Sequence, residues 1–364
     1  MVHPPIGVGI VGANPDRSWA ALSHVPAIHA SRDFRLSAVA TTRAASAHLA
    51  RERFDADFAF TDAVSLANHP AVDLVVVTVK VPAHVEVVTA AIDAGKHVYC
   101  EWPLTRTADE AEALSSAARA AGIHAVVGLQ ARFSPAVTRA RTMLTEGRIG
   151  TVRSASIYSA RSKGNTREVP AWAAYTYNAN DRASLVEVGG GHALDLVQYL
   201  LGPIKHFTAR TALRDPVHSV AETGETIHVT AADHLVGVAE LDSGAIVSIH
   251  VHESEAVLPR TRVEIMGSVG DLALVSAGET DPWASQLQIG RLELHHATPH
   301  DPTWRPVSLK RDEYDALPIE AANVARLYHL LAADLHAGTH EAPGFLTAHR
   351  LHRLIELAEP VDQP

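Results

Sequence analysis

The chain has one cysteine in 364 residues, Cys100. A single thiol can form no intramolecular disulfide and gives a metal–thiolate site nothing to build on. No Lys- or Arg-rich run interrupts a formal net charge of −10, which argues against a nucleic-acid surface. No apolar stretch approaches the ~20 residues that would span a bilayer. Met1 to Pro5 lead directly into a strand-like run, without the successive basic, apolar and small-residue blocks of a signal peptide. Internal repeats and low-complexity linkers are also missing. These absences predict a soluble, intracellular, cytoplasmic protein with no membrane partner and no direct contact with nucleic acid.

Apolar residues make up 47% of the chain and charged residues 20%, an ordinary globular balance, and the length suits two domains. The first third alternates in type. Strand-like runs at Ile6 to Val11, Phe34 to Ala40, Leu74 to Val79, His97 to Cys100 and Ala125 to Leu129 are separated by helix-compatible segments. Those helices cover Trp19 to Ala30, Ala44 to Phe54, His84 to Ala94 and Thr107 to Ala121. Strands that are apolar throughout indicate a parallel sheet covered on both faces. The predicted class is α/β, with a doubly wound parallel-sheet dinucleotide-binding (Rossmann) domain over residues 1–130. Beyond a helix at Pro135 to Glu146, strand-like runs dominate: Val152 to Ala160, Leu235 to Leu241, Ala245 to Val251 and Arg262 to Met266. Residues 131–364 are expected to form an α+β domain with a large, mainly antiparallel sheet. Helices near Ile319 to Leu335 and Leu346 to Leu357 close the chain, and packing back on the first domain is left open for them.

Gly7-Val8-Gly9-Ile10-Val11-Gly12 matches the dinucleotide spacing by letter, but Gly7 and Gly9 fall inside the first strand. A phosphate-binding turn must follow the strand and open the helix, so that backbone N–H groups face the pyrophosphate. Gly12-Ala13-Asn14, leading to Trp19, is therefore the expected turn, with Asn14 tolerating left-handed backbone angles at the second glycine position. The second strand ends in Ala40-Thr41-Thr42-Arg43 and lacks the acid that usually accepts from NAD ribose hydroxyls. Arg43 would suit a 2′-phosphate, a weak lean to NADP within an NAD(P) assignment; a solvated helix-start residue is the plainer reading.

Several motifs converge on one family. Val77-Thr78-Val79-Lys80-Val81-Pro82-Ala83-His84, Ala94-Gly95-Lys96-His97-Val98 and Gly189-Gly190-Gly191-His192-Ala193-Leu194-Asp195 together resemble the Gfo/Idh/MocA oxidoreductase family. Gly12-Ala13-Asn14 with Trp19, Glu101-Trp102, Leu129-Gln130-Ala131-Arg132 and Asp195 to Tyr199 narrow the resemblance to the branch containing the fungal galactose-regulon repressor. The resemblance covers nearly the whole chain. It implies a nicotinamide cofactor, a carbohydrate-like substrate, an open-faced sheet in the second domain and a homodimer. It also implies cofactor contacts from Trp19, Thr41, Lys80, His84, Glu101 and Trp102. Most family members carry Glu-Lys-Pro where this chain has Glu101-Trp102-Pro103, and a histidine where it has Tyr199. Both familiar proton-handling groups are thus replaced. An indole can only donate its N–H.

If Gly189 to Gly191 leads into a helix, His192, Asp195 and Tyr199 share one face. His192 with Asp195 beside it is the expected general acid/base pair, and both are expected to touch substrate. A cap or packing role for His192 and a structural acceptor role for Asp195 are the plain alternatives. Lys80, at the carboxyl edge of the third strand, is a displaced base or, more simply, a cofactor contact; Tyr199 is a proton donor at most. Trp102 either walls the nicotinamide and a sugar or fills space, and Arg132 binds substrate or forms an ion pair. Glu101 orients backbone, and Cys100 has no feature of a nucleophile. His250, His252, His295 and His296 are scattered too simply for a metal site, and no metal is expected. Two functions follow: an NAD(P)-dependent oxidoreductase acting by hydride transfer on a sugar, sugar derivative or cyclic polyol, and a non-catalytic cofactor-binding regulator with a partner protein.

Overall fold

Six runs pair side by side, the central ones apolar and buried on both faces and the edge strand Phe58–Phe60 partly exposed. They are β1 (Ile6–Val11), β2 (Phe34–Ala40), β3 (Phe58–Phe60), β4 (Leu74–Val77), β5 (His97–Glu101) and β6 (Ala125–Gly128) in one wholly parallel sheet of order β3-β2-β1-β4-β5-β6. That order is the doubly wound dinucleotide-binding arrangement. Val8, Ile10 and all four residues of β4 are fully buried. Gly7 and Gly9 lie inside β1 for packing: a Cβ on Gly7 would stand 2.0 Å from the Ala71 carbonyl oxygen, and one on Gly9 2.6 Å from Leu66. The structure is a computed structural model and describes residues 4–16, 18–161, 167–254, 257–277 and 283–361. It divides into two compact units, Met1–Leu129 with Asp312–Arg350, and Gln130–Arg311 with Leu351–Pro364.

In the first unit the crossovers are a π-helical turn Ala20–His24 running into α1 (Val25–His29), then α2 (Ala44–Arg53), α3 (Ala63–Ala67), α4 (His84–Asp93) and α5 (Ala108–Ala120). Asp62 and Thr107 cap α3 and α5 by accepting from Ser65 N–H and Glu110 N–H, satisfying donors that a helix start leaves open. The late helix Ile319–Ala337 completes this core. Its Tyr328 is fully buried and packs edge-on against Phe34 at 5.1 Å and beside Tyr99 at 5.3 Å. Val127 N–H donates to Pro343 C=O at 2.8 Å, which covers part of the β6 edge.

The second unit is built on β7 (Val152–Ala160) and carries β8 (Glu168–Val169), β9 (Ile204–Ala212), β10 (Val217–Val220), β11 (Thr226–His228), β12 (His234–Leu241), β13 (Ile246–His252), β14 (Arg260–Gly267), β15 (Asp271–Ser276), β16 (Leu292–Thr298), β17 (Asp301–Pro306) and β18 (Ala358–Pro360). Nine of them form a sheet of order β17-β16-β15-β14-β7-β13-β12-β9-β18, and β11-β10-β8 form a small second sheet. Only β13 with β7 and β18 with β9 pair in parallel within the large sheet. Val247, Ile249 and Val251 are buried while Ile246 and Ser248 between them are exposed, so this sheet has one core face and one open face. Helices α6 (Pro135–Thr145) and α7 (Gly191–Leu201) belong to this unit, and α6 packs on β15 and β16. No described helix is long and apolar enough to cross a membrane.

Candidate functional site

At the end of β1 the backbone turns at Gly12 with φ of 100°, in the region that favours glycine. A Cβ there would lie 2.9 Å from the Thr78 carbonyl carbon and the Val79 nitrogen, so the turn is a cradle that any side chain would fill. Thr78 Oγ1 donates to Val11 C=O at 3.0 Å and ties β4 to the same place. Asn14 does its work differently from the sequence expectation. Asp55 and Arg182 are the only non-glycine residues with positive φ among the described residues. Asn14 instead accepts from Asp16 N–H through Oδ1 at 2.9 Å, an Asx turn. Ser18 Oγ donates to Asn14 C=O at 2.7 Å and accepts from Ala21 N–H at 3.1 Å, which starts the following helix. Ala13 is buried and Trp19 half-buried at this turn; Arg17 lies outside the described residues. Thr41 Oγ1 donates to Arg43 C=O at 3.1 Å, and exposed Arg43 is the N-cap of α2. The groups present fit a dinucleotide: a side-chain-free turn ahead of a helix start, and a β2 end without a carboxylate.

Two loops of the first unit, after β4 and after β5, are joined by His84. It is buried, with Nδ1 3.0 Å from Pro103 C=O and 3.2 Å from Leu104 C=O, and Nε2 3.0 Å from Val79 C=O. Burial lowers the imidazole from its ordinary value against the pull of those carbonyls. The direct cofactor contact expected of His84 is therefore corrected: both ring nitrogens face backbone, and the residue positions the segments bearing Lys80 and Trp102. Lys80 itself is exposed, and the burial that a lysine base requires is missing. Trp102 is 5% exposed and precedes a cis Pro103. Glu101 Oε1 accepts from His24 Nε2 at 2.8 Å, while His24 Nδ1 lies 2.9 Å from the Tyr328 hydroxyl. One neutral tautomer satisfies both contacts, Tyr328 donating to Nδ1 and Nε2–H donating to Glu101. Burial and the Glu101 charge push the Cys100 thiol well up, which disarms it as a nucleophile.

In the second unit, a π-helical turn Val186–Gly190 runs without a break into α7, so the conditional helix at Gly189 to Gly191 exists. Such turns often mark functional sites. The expected His192–Asp195 pairing does not form. Asp195, fully buried, accepts from Arg132 through Nε at 2.9 Å and 3.1 Å and through Nη2 at 2.5 Å. Burial opposes the charge on Arg132, but the Asp195 hydrogen bonds and charge outweigh it and hold the guanidinium ionised. Tyr199 is flanked by the same Arg132 at 5.0 Å and by Arg141 at 4.1 Å from its ring centroid. Arg132, Asp195 and Tyr199 thus form one structural knot, and a one-turn spacing does not by itself choose partners.

His192 stands apart from that knot. It is 3% exposed, and its Nδ1 has no hydrogen-bond partner among the described residues. Burial, and then the charge of Arg161, push its imidazole down to about 3. Arg161 was not anticipated from the sequence. It is the first residue past β7, anchored by its N–H donating to His252 C=O at 2.8 Å, and its Nη2 lies 3.5 Å from where a Gly189 Cβ would be. His24 and Tyr328 were missed as well, since their meeting requires contacts across 304 residues. His250 and His252 pack ring to ring with each other at 4.6 Å, and His252 with His234 at 5.4 Å.

The order of the parallel sheet and the Gly12 turn define the first unit as an NAD-binding Rossmann domain. Residues 6–129 match the GFO_IDH_MocA family, described as an oxidoreductase family with an NAD-binding Rossmann fold, and residues 135–276 match the Gal80p C-terminal domain. The chain thus joins a Gfo/Idh/MocA domain to a Gal80p-like C-terminal domain. It is 27% identical to the galactose/lactose metabolism regulatory protein GAL80 of Saccharomyces cerevisiae, over 97% of this chain and 91% of that protein. It is 26% identical to D-apiose dehydrogenase of Paraburkholderia graminis, over 87% and 79% respectively. Among solved structures, a super-repressor mutant of Gal80p from Saccharomyces cerevisiae matches with a TM-score of 0.85 at 25% identity, covering 98% of this chain and 95% of that one.

Proposed function

We propose that this protein is an NAD(P)-dependent oxidoreductase that transfers hydride to or from a sugar, a sugar derivative or a cyclic polyol. The observation that carries the reading is His192 Nδ1, a buried nitrogen with no structural partner on a ring that stays neutral at ordinary pH. Other buried polar atoms are also unpartnered among the described residues, Tyr99 OH and His296 Nε2 among them, and His192 is set apart by its place beside the Arg161 charge. Gly12, Ala13 and Asn14 hold the cofactor phosphates, with Trp19, Thr41, Arg43, Lys80 and Trp102 contributing to the cofactor site. Arg43, exposed where an acid would select NAD, supports the lean to NADP(H). Bound there, the nicotinamide supplies the hydride acceptor or donor. His192 accepts a hydrogen bond from the reacting hydroxyl and takes its proton during oxidation, a role that requires bound ligand to raise the imidazole from about 3 toward neutral. The Arg132–Asp195 pair fixes the helix that carries it, and Tyr199 braces Arg132. Trp102 excludes water and offers an apolar face to a sugar.

A dehydrogenase relative that acts on a sugar supports the substrate class. Exposed Val236, Val238 and Ile246 on the open sheet face support a homodimer. The second reading is a cofactor-binding regulator with a partner protein. Trp102 and Tyr199 favour it, because neither accepts a proton readily, and so does the Gal80p-like domain. The experiment is an absorbance screen for NAD(P)H formation and consumption across sugars, polyols and sugar acids. Turnover on one class establishes the enzyme. Silence in both directions from a protein that binds cofactor overturns it in favour of the regulator.

A further inference from the structure

Around the π-helical turn that leads into α7, each carboxylate already has its own cation or hydrogen-bond donors. Asp195 is taken by Arg132. Glu187 accepts from Ser184 N–H at 3.1 Å and Ser184 Oγ–H at 2.5 Å, and pairs with Arg182 at 3.3 Å. Arg161 is the exception. Among the described residues it forms no ion pair, although Glu253 and Tyr177 lie near enough to feel its charge. Burial outweighs both of them and lowers the guanidinium from its ordinary value. Its position is built rather than incidental. The backbone is pinned to β13, and Nη2 runs over Gly189, where a Cβ would also stand 3.0 Å from Val251 and 3.2 Å from Leu185. A Cβ at 189 would crowd Val251 and Leu185 and would only touch the guanidinium, at 3.5 Å. Beside it is His192, more than nine-tenths buried, with a nitrogen that no protein group satisfies. A planar cation with no contact counter-ion among the described residues, near an imidazole nitrogen that none of them satisfies, matches a ligand that brings a carboxylate and a hydroxyl.

We propose that Arg161 recognises a carboxylate on the substrate, so that the substrate class is a sugar acid, with His192 receiving the neighbouring hydroxyl. This rests on the oxidoreductase reading for its chemistry but not for its binding. Pairing with the carboxylate also offsets the Arg161 charge, the smaller of the two influences that lower His192, while burial, the larger, remains.

The test is calorimetric titration of the cofactor-loaded full chain with D-glucuronate, D-galacturonate, D-gluconate, the parent neutral sugars and the methyl ester of glucuronic acid. A charge-assisted pair predicts that at least one acid binds about 10- to 100-fold more tightly than its uncharged counterpart. Arg161→Gln removes that preference, and Arg161→Lys retains part of it. Should Arg161→Gln fail to fold by circular dichroism, the acid-against-uncharged comparison on the wild type decides alone. Equal affinity for acids and uncharged counterparts, or binding of no acid, overturns the proposal. Acid-selective binding without turnover leaves it standing while the oxidoreductase reading falls; turnover of neutral sugars without acid preference does the reverse.

Discussion

His84 and His192 are both buried histidines whose imidazoles are driven down by burial, yet their surroundings differ in kind. Around His84, in the first unit, three backbone carbonyls meet the two ring nitrogens. Around His192, in the second, one nitrogen meets nothing, and the nearby charge is a guanidinium that makes protonation harder still. A neutral His84 has one N–H: Nε2–H can donate to Val79 C=O while Nδ1, 3.4 Å from Cys100 Sγ, can accept from the thiol, so both nitrogens have a partner. The His192 arrangement weakens the folded state, and the proposed function gives that open nitrogen a ligand to meet. Burial therefore says little about which histidine does chemistry. Unmet hydrogen-bonding capacity says a good deal.

The comparison breaks first under acid. The folded value of His192 near 3 lies below its ordinary value of 6.5, so the unfolded chain takes up a proton that the folded chain refuses. Its contribution is fully present above about pH 6.5 and is lost as pH falls toward 3, on the order of 4 kcal/mol in all. His84, also lowered, acts in the same direction. Denaturant midpoints measured between pH 7 and pH 4 should fall, and His192→Gln should flatten the slope. An unchanged slope would mean that His192 is not buried as a neutral ring.

A smaller effect sharpens the contrast at neutral pH. His84→Leu removes the N–H that can serve Val79 C=O and the acceptor nitrogen beside the Cys100 thiol, and should cost about 1–3 kcal/mol. His192→Leu removes an unsatisfied nitrogen and should leave stability level or slightly higher. Urea unfolding of the two variants reads this directly, and equal losses would erase the distinction. The smallest effect concerns the cofactor. Arg43→Ala should weaken NADP(H) by roughly 3- to 10-fold, since exposed charge pairs contribute little, with NAD(H) barely changed. Fluorescence titration with both cofactors checks it, and parallel losses would return Arg43 to a solvated helix start.

Much of the first unit is legible from local pattern. Apolar runs such as Leu74–Val77 can only be parallel core strands, and Gly12 is the one glycine in the opening segment placed after a strand rather than within it. Strands such as Ile204–Ala212 carry Lys205, His206 and Arg210 on exposed positions and give little local signal; pairing with β12 makes them strands. The site divides along the same line. The helical face of His192, Asp195 and Tyr199 follows from spacing, because spacing is local. The choice of Arg132 as the partner of Asp195, across 63 residues, is not local. Arg161 looks in sequence like any arginine after a strand, and only the folded chain lays it over Gly189.

The central claim is that His192 handles the reacting proton. Its most direct measurement is single-turnover stopped-flow absorbance of NAD(P)H with the wild type and His192→Ala, both saturated with cofactor and with the best substrate from the screen. The account predicts a rate lower by ~10²–10⁴-fold in the variant, the scale for losing a general acid or base, with cofactor affinity unchanged. A variant that turns over at the wild-type rate would contradict it.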